Sequence, residues 1–190
     1  MKKHYKTDYL KKLCQLSKIC NDNFSYVYKI LTSQQFPAEK MFQKSKNIIT
    51  EIKENLNKDY FTPFEREDIF IISRKLHNLN ENSYFIFKFL SDNRFFSSPK
   101  NIIQQIGYLV KITETIHEIF INLSATQKAD SSLYITEAET VQEELIHHIY
   151  DSINNDKTLN YGTILHYIEN CADTANEIIQ MIQYTLLKNS

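Results

Sequence analysis

The stretch FTPFEREDI, residues 61–69, places one of only three prolines in 190 residues inside a run of charges. It stands directly ahead of the longest apolar-periodic segment of the chain. Thr62 is a residue type that caps helix N-termini, because its hydroxyl can accept from a free backbone N–H. Pro63 then falls at the first helical position, where a missing donor costs nothing. Glu65, three residues after Thr62, completes a T-x-x-E capping box. Glu65, Glu67 and Asp68 all lie where the helix dipole favours negative charge. The proline therefore predicts a helix start. The helix runs to about Leu90 through Ile69, Ile72, Leu76, Leu79, Ser83, Ile86 and Leu90, at spacings of three and four.

The same periodicity extends outward in both directions. Leu10, Leu13, Cys20, Phe24, Val27 and Leu31 predict a first helix over about 5–32. Met41, Phe42, Ser45, Ile48, Ile49, Ile52 and Leu56 predict a second over about 38–57, opened by Pro37. Ser98–Pro99 repeats the cap-plus-proline device and opens a fourth helix to about Leu123. A fifth follows over about 132–153 and a sixth over about 162–187. Two glycines in the whole chain are too few for a turn-rich β fold. The expectation is an all-α, elongated, six-helix antiparallel bundle in a single domain spanning residues 1–190. Two three-helix repeats, about 1–92 and 98–190, would share one core.

Composition narrows the function classes. A formal net charge of −1 gives no broad attraction to nucleic acid. No run of 18 or more apolar residues exists, so no direct membrane insertion is expected. No apolar stretch follows the basic start MKKHYKTDYLKKLC, which argues against a signal peptide. Cys14, Cys20 and Cys171 are an odd set without CxxC spacing and read as reduced thiols. A cytoplasmic protein is expected, with its oligomeric state left open.

Chemistry is harder to find. Gly107 and Gly162 are isolated, so no phosphate-cradling loop exists. Two E-x-x-H pairs, Glu114 with His117 and Glu144 with His147, raise a di-iron reading. At about 100° per residue His117 points into the apolar stripe of its helix while His147 points away. His117 is therefore expected as a hydrogen-bonded inward histidine. On outward faces, His77 and Glu81 form an i, i+4 pair, and His166, Glu169, Asp173 and Glu177 form a stripe. Such stacked carboxylates and imidazoles can chelate a metal, but a charged stripe is also what any soluble helix shows to water.

FTPFEREDI, following the Leu56–Asn57–Lys58 helix end, closely resembles a signature of a PhoU-like family, in the branch found with Pit-type inorganic phosphate transporters. IENCADTANEII, residues 168–179, resembles a second segment of that family. The resemblance covers nearly the whole chain in helix number, order and length. It implies a six-helix bundle of two three-helix repeats that regulates phosphate uptake and is not an enzyme. It also implies carboxylate positions on the second, third, fifth and sixth helices that bind iron, zinc or similar ions in relatives. Here those positions carry Phe42 and Lys46, His77 and Glu81, Glu137 and Val141, and Leu165, Glu169 and Asp173.

The resemblance thus leads to an accessory protein of phosphate transport that binds a Pit-type transporter at the inner face of the membrane. His77, Glu81, Glu169, Asp173 and Glu137 are the surviving donors. They allow at most one transition-metal ion (Fe, Zn or Mn), on the assumption that the third and sixth helices are neighbours. A metal-binding, redox-active bundle and a purely structural interaction module are the alternatives. Phe70 is expected outward, as a candidate contact.

Overall fold

Asp8 starts the first helix. Its carboxylate accepts the Lys11 N–H at 3.0 Å and its carbonyl the Lys12 N–H at 3.2 Å, as an N-cap does. The computed structural model describes residues 8–33, 43–92, 100–126, 136, 139–141, 143–147 and 162–188. Six helices result. They are α1 (Tyr9–Ser33), α2 (Gln43–Leu56), α3 (Arg66–Asp92), α4 (Lys100–Thr126), α5 (described at 136, 139–141 and 143–147) and α6 (Gly162–Lys188). No strand occurs among the described residues. The 27-residue helices α3, α4 and α6 are each about 40 Å long. Met41, Phe42 and the Ser98–Pro99 start lie outside the described residues.

Pairwise contacts fix the topology. Residues 12, 45 and 80 place α2 antiparallel to both neighbours: Lys12 pairs with Glu51, and Asn80 donates to Ser45. Consequently α1 and α3, which also touch, run parallel, with Cys20 beside Leu76 and Asn23 beside Asn80. α1 packs antiparallel on α4, with Ser17 facing His117 and Tyr28 facing Gly107. α3 packs antiparallel on α6, from Lys75–Glu177 to Phe85–Tyr167. The pairs α1–α2, α2–α3, α1–α4 and α3–α6 are therefore antiparallel, and α1–α3 is parallel.

All seven apolar-stripe positions expected on α3 are buried, from Ile69 to Leu90. α1 buries more than its stripe. Tyr9, Leu16, Ser17, Asn23 and Ile30 are also buried, because α1 contacts α2, α3 and α4 at once. Small polar residues at these crossings satisfy themselves on their own helix. Ser73 donates to the Phe70 carbonyl, Ser83 to Asn80, Thr113 to Leu109 and Thr185 to Met181, at 2.6–2.8 Å. They let backbones approach without leaving an orphaned hydroxyl. At Gly107 an added Cβ would meet the Tyr28 ring at 3.4 Å, so the missing side chain lets that ring lie on α4.

Two sequence expectations are corrected here. α3 begins at Arg66, not at Pro63. The carbonyl of Glu65 accepts the first helical bond, from Ile69 N–H at 3.1 Å. The Thr62 hydroxyl instead donates to the Phe64 carbonyl at 2.6 Å, so the T-x-x-E box does not form. Phe70 is half-buried and packs against the core rather than facing water.

Candidate functional site

The signature stretch is a clamp at one end of the bundle. Where α2 ends, the Asn55 carbonyl accepts both the Lys58 and Asp59 N–H groups, at 2.9 and 2.8 Å. Asp59 is buried, and its carboxylate accepts the Tyr9 hydroxyl of α1 at 2.8 Å. The Arg66 guanidinium donates to the Asp59 carbonyl. Downstream, Lys188 of α6 donates to Glu65 at 2.8 Å and lies 3.5 Å from buried Asp68. The Lys188 ammonium also sits 4.3 Å over the Tyr184 ring. Its bond to Glu65, with the Asp68 charge beyond it, holds Lys188 protonated well above the ordinary lysine range. The charges of FTPFEREDI thus tie α1, α3 and α6 together, and Tyr60 and Phe61 are left pointing into water.

Further along the bundle a hydrogen-bond chain crosses three helices. Asn23 of α1 donates its amide to Asn80 of α3. Asn80 donates in turn to Ser45 of α2 at 2.6 Å, and Ser45 Oγ lies 3.3 Å from His77 Nδ1. Ser45 thereby links Asn80 to His77 in one hydrogen-bonded chain. Asn23 Oδ1 is buried without a partner.

The expected donors do not assemble. His77 and Glu81 are half-buried rather than outward, because α2 lies over that face and engages His77 through Ser45. Glu169 and Asp173 are exposed on α6. The neighbouring His166 lies 4.0 Å from Glu169, and Glu177 is paired with Lys75 at 2.6 Å. α3 and α6 are neighbours, as assumed, yet their donors sit on different faces. Among the described residues no three His, Cys, Asp or Glu side chains gather where they could hold a metal ion. The single-ion site of His77, Glu81, Glu169 and Asp173 is therefore not formed, and Glu137 lies outside the described residues.

His117 is half-buried, as expected of an inward histidine, and its Nδ1 is 3.0 Å from Ser17 Oγ and 3.9 Å from Cys14 Sγ. Ser17 donates to the Cys14 carbonyl at 2.9 Å, so its oxygen accepts from His117. Desolvation, then the Lys18 charge, hold His117 below its ordinary value of 6.5. A depressed base takes up its proton later in the folded than in the unfolded chain. Its contribution to stability is thus complete above pH 6.5 and is lost as pH falls through the folded value. Thermal melts at pH 7.5 and 5.5 are expected to show a drop that His117→Gln reduces; an unchanged drop would remove His117 as its source.

His147 is exposed, as are Glu114 and Glu144, so the E-x-x-H pairs make no common centre. Burial pushes the thiols of Cys14, Cys20 and Cys171 upward, away from the nucleophilic thiolate. No Cα of α1 comes within 8 Å of one of α6, which puts Cys20 and Cys171 beyond disulfide reach.

Sequence reasoning missed Tyr9, Asp59 and Lys188. Their partners are 50 or more residues away, and no local pattern announces such pairs. Adjacent aromatics between two helices were the available signal for Tyr60 and Phe61.

This architecture is the PhoU-like all-α bundle. It matches the crystal structure of a PhoU-like protein from Shewanella oneidensis MR-1 with TM-score 0.63 and 13% identity, covering 95% of this chain and 100% of that one. A second structure from that organism, described as a PhoU-like phosphate regulatory protein, gives 0.62 and 13% over the same shares. No protein-family model and no curated protein matches the sequence.

Proposed function

We propose that this chain is a PhoU-like regulator of phosphate transport that acts by binding a partner and not by catalysis. The observation that carries this reading is the likeness to PhoU-like structures over 95% of this chain and the whole of theirs. The FTPFEREDI and IENCADTANEII resemblances supply the finer part: a Pit-type phosphate transporter at the inner face of the membrane as partner. Raised thiols, a histidine engaged by Ser17 and dispersed carboxylates support a non-enzymatic role. A bundle of this kind regulates through different affinities for two states of its partner. No step of this reading runs through a metal ion.

The test is deletion of the gene with phosphate uptake measured, together with co-purification from detergent-solubilised membranes. Uptake is expected to change by at least about twofold, corresponding to a small shift in a two-state equilibrium. A phosphate transporter is expected in the purified complex. Unchanged uptake and no transporter in the complex would overturn the proposal.

A further inference from the structure

Tyr28 of α1 and Tyr108 of α4 line a groove between these two antiparallel helices. Tyr26, two residues before Tyr28, packs against Phe87 of α3 with ring centroids 6.1 Å apart. At about 100° per residue Tyr28 therefore points away from α3, and it is 38% exposed. Its ring lies across Gly107, where a Cβ would stand 3.4 Å from it. The missing side chain leaves a notch beneath the ring. Tyr28, Gln104, Gly107, Tyr108, Val110 and Lys111 line the resulting cavity, which holds about 370 Å³ and opens to solvent.

One cation stands in this lining. The Lys111 ammonium lies 5.5 Å from the centre of the Tyr108 ring. It pairs with no carboxylate among the described residues. The helices on both sides supply none: α1 from Asn23 to Ser33 and α4 from Lys100 to Thr113 carry Lys29, Lys100 and Lys111 and no acid. Beyond those spans, Asp22 is held by Lys18 at 2.8 Å. Exposed Glu114 stands one turn past Lys111, outside the lining.

We propose that this groove binds a nucleoside monophosphate, with the base on the tyrosine rings and the phosphate at Lys111. Three features select that class. The first is volume, which falls in the range of about 300–1,000 Å³ typical of small-molecule sites. The second is the pair of rings, whose faces can stack any base. The third is the unpaired ammonium, which makes a charge-assisted bond to a phosphate oxygen. An inorganic anion would use the lysine and leave the rings idle. A neutral aromatic would use the rings and leave the lysine idle. A single cation suits one phosphate group better than three, because each added charge needs its own counter-charge. The inference goes beyond the transport reading and needs neither a transporter nor a membrane.

The probe is AMP, titrated calorimetrically into the full chain at low ionic strength. Adenosine supplies the ring without the anion, and ribose phosphate the anion without the ring. AMP is expected to bind with a dissociation constant below about 1 mM. Adenosine and ribose phosphate should each bind at least about tenfold more weakly. Lys111→Gln, at an exposed position, should bring AMP down to the level of adenosine. Tyr28→Ala should bring it down to the level of ribose phosphate, and so should Gly107→Leu, which fills the notch. Thermal melts confirm that each variant is folded. Three results would overturn the site. One is no binding of AMP up to about 10 mM. Another is ribose phosphate binding as tightly as AMP, which would reduce the groove to a surface lysine. The third is unchanged AMP affinity in both Lys111→Gln and Tyr28→Ala, which would put the nucleotide elsewhere.

Discussion

Asn80→Ala is expected to lower the melting temperature by roughly 6–12 °C, for a loss of about 3 kcal/mol in a domain of this size. Asn80 is fully buried at the centre of the chain from Asn23 to His77. Its removal strands the Asn23 amide, whose oxygen already lacks a partner. It also takes from Ser45 the amide donor that joins α2 to α3. Each orphaned buried group costs about 1–3 kcal/mol, and the lost side-chain volume adds a cavity term. Replacing Asn23 and Asn80 together by leucine removes both partners, and so should cost clearly less than the sum of the single changes. Urea unfolding of the four proteins measures this. A loss below about 1 kcal/mol for Asn80→Ala would show that the chain holds the three helices far less than its burial suggests.

The second large effect belongs to the clamp. Asp59→Ala is expected to cost about 2–3 kcal/mol, because a buried tyrosine hydroxyl loses a charged acceptor. Tyr9→Phe removes the other side of the same bond and leaves the Asp59 carboxylate without that hydroxyl. The double variant should therefore be little worse than either single one. A coupling energy of about 1.5 kcal/mol or more is expected from the cycle, and additive losses would show that Tyr9 and Asp59 act independently. Arg66 separates the two parts of the clamp, since it binds the Asp59 carbonyl, which both variants keep.

Most of the bundle could be read from periodicity, because a helix that buries one face must repeat its apolar residues every three or four positions. Ile69 to Leu90 follow that rule and all are buried. Where several helices press on one, the rule under-reports: Leu16, Ser17 and Asn23 fall off the narrow stripe yet are buried by α2, α3 and α4 acting together. The start of α3 went astray for a related reason. Thr62 and Glu65 have the right identities and spacing for a capping box. Long-range ties to Tyr9 and Lys188, invisible in a local window, nevertheless hold the stretch as a loop. The candidate donors fared least well. Helical wheels place His77 and Glu81 outward, but only the position of α2 decides that His77 meets Ser45. Glu169 and Asp173 were rightly expected to face water, and that same exposure keeps them apart from the histidine.

The parallel course of α1 and α3 has a practical side. Asp8 at the head of α1 and Lys188 at the tail of α6 both come to the end built from Tyr9, Asp59 and Glu65. A fusion partner or affinity tag joined at either place is delivered beside Tyr60 and Phe61. An insertion between α3 and α4 falls some 40 Å away, a full helix length. The bonds of the clamp thus gather at one pole, and an attachment at the opposite pole leaves them untouched.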